Sequence, residues 1–273
     1  MSSTMNLKGR TALVTGAASG IGRAVAVSLA RRGCALALVD LNAAGLAETA
    51  TLVRPYGVET SVHRLDVGDR DAVAALPDAV MAEHAGVDVL VNNAGVALGG
   101  AFEEVDEADF EWLFGINFWG VVRMTRAFLP LLRASSEARL VNVSSIYGII
   151  APAGQTAYAA SKFAVRGFSM ALRHELEGST VGVTVVHPGG VATAIADAAR
   201  VPKGTSVEDA ARGRARANRL LTLAPEVAGE TIVRGIERRQ ARVLIGSDAK
   251  AAAVIERLMP VTYWALIRQR MGR

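Results

Sequence analysis

The sequence predicts an α/β fold in a single domain: a doubly wound parallel sheet of about seven strands with helices on both faces. Three observations predict it. Short runs rich in Val and Leu, each ending in turn residues, alternate with segments of helical length and period. The 273 residues are 51% hydrophobic and 21% charged, enough for one large core, and no repeat or low-complexity linker divides them. A glycine-rich turn joins the first apolar run to the first helical segment, where an open parallel sheet places a ligand.

Taken in order, "TALVTG" is the first strand, "GIGRAVAVSLARRG" the first helix and "CALALVD" the second strand. "ETSVHRLDV" is a weaker strand, with charged residues breaking the run. "VDVLVNNAG", "ARLVNVSS" and "VGVTVVHPGG" follow as strands, separated by the helical "WGVVRMTRAFLPLLRAS" and "YAASKFAVRGFSMALRHELEG". The helical "PEVAGETIVRGIERRQ" leads to a last strand, "RVLIG". Apolar residues at successive positions, in place of alternate ones, indicate strands covered on both sides. Residues 1–248 form the predicted Rossmann-type domain, and 249–273 a C-terminal extension. In the extension Val254, Leu258, Trp264, Ile267 and Met271 gather on helical faces interrupted at Pro260, while Arg257, Arg268, Arg270 and Arg273 supply cations. It reads as a tail docked on its own subunit or a partner, as a cover for a lipophilic substrate, or as a peripheral contact with a membrane surface from which such a substrate is drawn.

The polar start "MSSTMNLKGR" and the lack of any apolar run near the ~18 residues of a membrane span predict a soluble, cytoplasmic protein. Cys34 is the single cysteine, so it has no internal disulfide partner and reads as a small core residue. No Cys/His cluster has zinc spacing, and no metal is expected. The net charge of +4 is unevenly spread: residues 1–199 hold 15 Lys/Arg against 19 Asp/Glu, and residues 200–273 hold 15 against 7. Scattered arginines with only 5% aromatics make a solvated surface, not a nucleic-acid footprint.

"TGAASGIG", Thr15 to Gly22, lies where free N–H groups and the positive end of a helix dipole meet a pyrophosphate, with Gly16, Gly20 and Gly22 allowing close backbone approach. The spacing is GxxxGxG, not GxGxxG, and a tight connection without a ligand is the plain alternative. Asp40 ends the second strand, where a carboxylate accepts hydrogen bonds from both ribose hydroxyls and repels a 2′-phosphate, favouring NAD over NADP. A helix N-cap is the other reading of Asp40, and Arg23 and Arg64 leave a dual-specific pocket open. "YAASK" sets Tyr158 and Lys162 four residues apart on a helix, their β-carbons about 5–6 Å apart on one face. No other tyrosine has this relation to a lysine.

GxxxGxG at 16–22, "NNAG" at 92–95, Asn117, "NVSS" at 142–145, YxxxK at 158–162 and "PGGVAT" at 188–193 together make the chain resemble the short-chain dehydrogenase/reductase family, from Leu7 to Gly246. The resemblance implies that Tyr158 is the acid/base and that Lys162 holds the nicotinamide ribose and lowers the Tyr158 pKa. A phenol of pKa about 10 must fall about 3 units, about 4 kcal/mol, to act near neutral pH, and one cation ~5 Å away at an effective dielectric of ~20 supplies about 3 kcal/mol. Ser145 is implied to orient the substrate oxygen, with Ser144 second. Asn117 is implied to anchor a water between Lys162 and solvent; a polar helix residue bonding backbone is its alternative. The implied cofactor contacts are Gly16, Ser19, Gly20, Ile21 and Gly22, then Asp66 and Val67 at the adenine, Asn93, Ala94 and Gly95, and Pro188, Gly189, Val191 and Thr193 over the carboxamide. His187 reads as a strand-end residue. Residues 194–224 correspond to a substrate lid of polar helices with an apolar stripe, and Tyr147, Ile149 and Phe102 line the pocket by position.

The expected activity is NAD(H)-dependent interconversion of a primary or secondary alcohol and its aldehyde or ketone, on a lipophilic substrate. Ser145 and Tyr158 would make the electrophilic contacts that a zinc ion makes in other dehydrogenases. A non-catalytic NAD-binding regulator or scaffold is the alternative, which an intact Asn-Ser-Tyr-Lys set disfavours. The two long helices before and after "ARLVNVSS" are apolar over more of their girth than one sheet face needs, so a homo-oligomer, a dimer or tetramer, is expected.

Overall fold

The computed structural model describes residues 4–271, with no side chain described at 267 or at 269–271. Seven parallel strands, β1 (Thr11–Thr15), β2 (Ala35–Asp40), β3 (Thr60–Arg64), β4 (Val89–Asn92), β5 (Ala138–Val143), β6 (Val181–Pro188) and β7 (Arg242–Ile245), form one sheet in the order β3-β2-β1-β4-β5-β6-β7. The helices are α1 (Gly20–Ala30), α2 (Ala43–Val53), α3 (Arg70–Met81), α4 (Glu107–Phe114), α5 (Val121–Ala134), α6 (Thr156–Glu175), α7 (Val207–Asn218), α8 (Pro225–Glu237), α9 (Ser247–Leu258) and α10 (Tyr263–Met271). This is the predicted doubly wound fold, down to the weakly patterned β3.

The pleat explains why the strands read as continuous apolar runs. Ala12 and Val14 of β1, Leu36 and Leu38 of β2, and Val141 of β5 pack with Val25, Leu29, Ile232 and Ile236 of α1 and α8. The intervening Leu13, Ala37 and Leu140 pack with Leu76 of α3, Phe128 of α5 and Leu172 of α6 on the opposite face. Each strand buries both sets of side chains, so no polar alternation survives.

Helices α1 and α8 cross in contact: a β-carbon added at Gly229 would stand 2.5 Å from the Ala24 carbonyl carbon. Arg32, one residue beyond the C-cap of α1, reinforces the crossing by donating to Glu230 (2.9 Å) and Glu237 (2.8 Å) of α8. The Met5 amide donates to the Glu237 carbonyl at 2.8 Å. Cys34 is buried in the same core.

Strand order reverses between β1 and β4, so the crevice for a ligand lies at the carboxyl ends of these strands. All of the sequence motifs converge there. On the flanks of the domain, Trp119 beside α5 is 50% exposed, and Phe163 and Met170 of α6 are 37% and 45% exposed. Within 194–224 the structure forms one helix, α7, none of whose residues is buried, in place of several helices with a packed stripe. The extension breaks at Pro260, between α9 and α10, as its sequence requires. The side chains of Ile267, Arg270 and Met271, together with Arg273, lie outside the described residues. Among the described residues no helix is long and apolar enough to cross a membrane.

Candidate active site

The glycine-rich turn is built by what glycine lacks. Gly16 adopts φ +68°, and a β-carbon there would meet the Asn93 side chain at 2.7 Å; at Gly22 it would lie 2.0 Å from the Gly16 carbonyl oxygen. The turn therefore folds tightly onto the start of α1. Ser19, the N-cap of α1, makes no side-chain cap bond, which leaves the first N–H groups of this helix directed at the crevice beside Gly20 and Ile21. Thr193 faces this turn from the opposite wall, its methyl 2.9 Å from where a Gly20 β-carbon would be. This is a notch that any larger residue would fill.

Asp40 stands at the carboxyl end of β2 with its oxygens accepting from Ala18 N (3.0 Å) and Asn42 N (2.9 Å). The cap of α2 is Asn42, which accepts from Gly45 N at 3.1 Å, so Asp40 is not the cap. Each Asp40 oxygen retains a free lone pair for a ribose hydroxyl. Arg23 does not serve as a phosphate partner as it stands: its guanidinium pairs with Glu48 at 2.6 Å and also donates to the Ala18 carbonyl. Arg64 donates to Leu41 O at 3.4 Å, near Asp40.

Asn93 turns from the crevice to the turn, donating from Nδ2 to Thr15 O at 3.0 Å, while Thr15 Oγ1 accepts from the Asn93 and Ala94 amides. Its side chain thus fixes the strand ends and leaves the exposed Gly95 to border the crevice. Asp66 accepts from Gly68 N at 2.7 Å, and Val67 packs on Gly120. Pro188 ends β6. Gly189 donates to Ile245 O at 2.9 Å, and the buried Val191 bridges to Leu223.

The proposed chemical groups come together on three elements. Tyr158 and Lys162 lie on one face of α6, with Lys162 Nζ 5.7 Å from the phenol ring centroid and donating to Val143 O at 3.3 Å. Ser145, just beyond β5, lies beside the Tyr158 phenol, whose pKa it lowers, and accepts from Tyr147 N at 3.1 Å. Ser144 points elsewhere, donating to Lys162 O at 2.8 Å, which removes it as a competitor. Asn117 is fully buried in a π-helical stretch, Gly115–Gly120, between α4 and α5. It accepts from Val96 N (2.8 Å) and donates to Val96 O (3.0 Å) and Ser161 Oγ (3.2 Å). Its side chain bonds the Val96 backbone, and it lies next to Lys162 across Gly95.

The electrostatics differ from the sequence expectation. Burial pushes the Tyr158 phenol up to about 12, with Ser145 pulling it partly back, and Lys162 is itself lowered to about 8 by burial. The reason is desolvation, which a sequence does not display: both members of the pair leave water together, and each charged form loses hydration.

Two residues have larger roles than their sequence suggested. His187 is buried, lowered to about 4 and so neutral, and its Nδ1–H donates to Ser145 O at 2.9 Å, fixing the backbone that carries Ser145. Tyr147 meets Tyr158 edge-on with ring centroids 6.1 Å apart. Ile149 is buried in a cluster with Tyr147 and Ala252 of α9, and Phe102 is 68% exposed.

The family model described as short chain dehydrogenase matches residues 10–203. SadH of Mycobacterium tuberculosis, named as an oxidoreductase, is 44% identical over 264 residues, which covers 96% of this chain and 95% of SadH. A short-chain dehydrogenase/reductase from Burkholderia phymatum, solved in complex with NAD, superposes with TM-score 0.86 at 30% identity, covering 93% of this chain and 95% of that one. A short-chain dehydrogenase from Mycobacterium paratuberculosis, solved bound to NAD, gives TM-score 0.78 at 25% identity, covering 90% of this chain and all of that one, 100%.

Proposed function

The chain belongs to the short-chain dehydrogenase family and is an oxidoreductase, and from that premise we propose that it interconverts a primary or secondary alcohol and its aldehyde or ketone with NAD(H). The observation that carries this reading is the convergence of Ser145, Tyr158 and Lys162 beside a notch suited to a dinucleotide. The notch at Gly16, Gly20 and Gly22, the uncapped start of α1 and the Asp40 carboxylate fit pyrophosphate and adenosine ribose. Asp40 with Arg23 committed to Glu48 supports NAD over NADP.

The glycine-rich turn, Asp40 and Lys162 would hold NAD(H), which would supply the hydride acceptor for oxidation of a carbinol and the hydride donor for reduction of a carbonyl. The chain's own residues handle the oxygen and its proton. In oxidation the Tyr158 phenolate takes the hydroxyl proton; in reduction the phenol gives it back. Ser145 Oγ holds the substrate oxygen at the same point, oriented by His187 through the Ser145 carbonyl. Lys162, as a cation, favours the phenolate and binds the nicotinamide ribose, and Asn117 with Gly95 borders the route from Nζ to solvent.

A lipophilic substrate fits the aromatic wall of Tyr147 and the proposed lid at 194–224. The outer side of the extension, with Val254, Leu258, Val261 and Leu266 exposed among Lys250, Arg257 and Arg268, supports peripheral contact with an anionic lipid surface, tested by salt-sensitive vesicle binding. The activity itself is tested by turnover of an alcohol and ketone panel with both cofactors. Tyr158→Phe should lower turnover at least ~100-fold while leaving NADH affinity nearly unchanged. Near-full activity of that variant on a substrate whose chemistry limits the rate would overturn the assignment.

A further inference from the structure

The backbone of Gly190, in the loop that follows β6, is held on both sides. Its carbonyl accepts from Thr222 N and Leu223 N, both at 3.0 Å, at the end of the 194–224 segment. Its N–H donates to Asp248 Oδ2 at 2.7 Å. Asp248 belongs to the first turn of α9, the helix that runs into the extension, and comes to this loop from 58 residues away.

The carboxylate sits in a cup that other side chains would close. A β-carbon at Gly189 would lie 2.0 Å from Asp248 Oδ1, and one at Gly246, which adopts φ +90°, would lie 2.3 Å from the same atom. The helix carrying Asp248 is itself anchored. Ala252 and Ala253 of α9 pack on Ile149, Ile150 and Tyr147, and the Tyr263 hydroxyl of α10 accepts from Ala151 N at 3.0 Å. Oδ1 also accepts from Ala249 N at 2.9 Å, which holds the carboxylate in its rotamer.

We propose that Asp248 is a positioning residue of the active site: by holding the Gly190 N–H inside the cup of Gly189 and Gly246, it sets the Pro188–Val191 loop at the height at which that loop meets the nicotinamide end of the cofactor. This rests on the reading of that loop under the proposed function. The extension is then a working part of the site, and the same peptide links it to the 194–224 segment. The dinucleotide's adenosine half lies at Asp40 and the glycine-rich turn, outside the reach of Asp248.

The test compares NADH with ADP-ribose, which keeps the adenosine and both phosphates but lacks nicotinamide. Asp248→Ala should raise the NADH Kd about fivefold to tenfold, as for loss of one charge-assisted hydrogen bond, and leave the ADP-ribose Kd within about twofold. Asp248→Asn keeps an acceptor and should restore NADH affinity to within about twofold. Gly189→Ala should mimic Asp248→Ala by displacing the carboxylate, and should add little in the Asp248→Ala background. If Asp248→Ala folds poorly, Asp248→Asn and Gly189→Ala, each measured with NADH and ADP-ribose, carry the test. Equal losses for NADH and ADP-ribose, an unchanged NADH Kd, or additive effects of the two substitutions would each overturn the proposal. Failure of the wild-type protein to bind NADH at all would instead overturn the proposed function.

Discussion

Replacing Lys162 by Met removes the ammonium from beside Tyr158 and keeps most of the stem. Nζ stands 5.7 Å from the phenol ring centroid. At an effective dielectric of ~20 a unit charge at that separation favours the phenolate by about 3 kcal/mol, equal to about two pH units. The sign is fixed by charge: a cation lowers the pKa of a phenol, so its loss raises it. The benefit holds while Lys162 keeps its proton, below about pH 8, and fades above. With saturating NAD, so that weaker ribose binding is masked, the acid limb of the kcat profile for alcohol oxidation should move about two pH units to the alkaline side. At a fixed pH below the limb, kcat should fall about 100-fold. The assay is nicotinamide absorbance across pH, on a substrate with a primary deuterium isotope effect. A Lys162→Met enzyme whose limb stays in place would refute the electrostatic role, whatever its loss of rate.

Three further expectations address the cofactor, the support of Ser145 and the assembly. Asp40→Ser combined with Leu41→Arg should shift preference from NADH toward NADPH by removing repulsion and adding a phosphate partner; equal wild-type affinities in titration would contradict the ribose reading. His187 is lowered from 6.5 to about 4 in the folded protein, so on acidification the unfolded chain takes its proton first. Stability present above pH 6.5 should be lost as pH falls to 4, by up to about 3 kcal/mol, and His187→Asn should remove that component from urea melts at pH 7 and 4.5. Identical pH dependence in the two proteins would show that His187 is not its source. The exposed Trp119, Phe163 and Met170 beside α5 and on α6 predict a homo-oligomer, and a monomeric mass at micromolar concentration in sedimentation would count against it.

The fold was legible because each strand is packed on two sides and each motif lies at a strand end. Leu13 and Val14 point to opposite cores, so β1 could be read without knowing its neighbours. The Tyr158–Lys162 pair was legible because helical spacing fixes it locally. What depends on distant chain was not. Asn117 sits in a π-helical turn, and no spacing in "GINFWG" signals the extra residue. The hold of the Asn93 amide on Thr15, from a strand 78 residues earlier, has no signal in the local sequence. Asp248 carries no signal in the sequence, since the glycines that receive it come from both β6 and β7 ends. The raised Tyr158 pKa follows from desolvation by the whole fold.

The crossing of α1 and α8 bears on how the protein can be made. Helix α1, which opens at the glycine-rich notch, is synthesised some 200 residues before the partner face that covers it, with Ala228, Ile232 and Glu230. At about 5–20 residues per second, α1 spends on the order of 10–40 s without its apolar cover. The entropy of closing so long a loop grows only logarithmically, so the final docking is not costly, but the waiting interval is long. Nascent chains stopped before residue 237 should therefore be held by chaperones and bind no dinucleotide, although every residue of the glycine-rich turn has been synthesised.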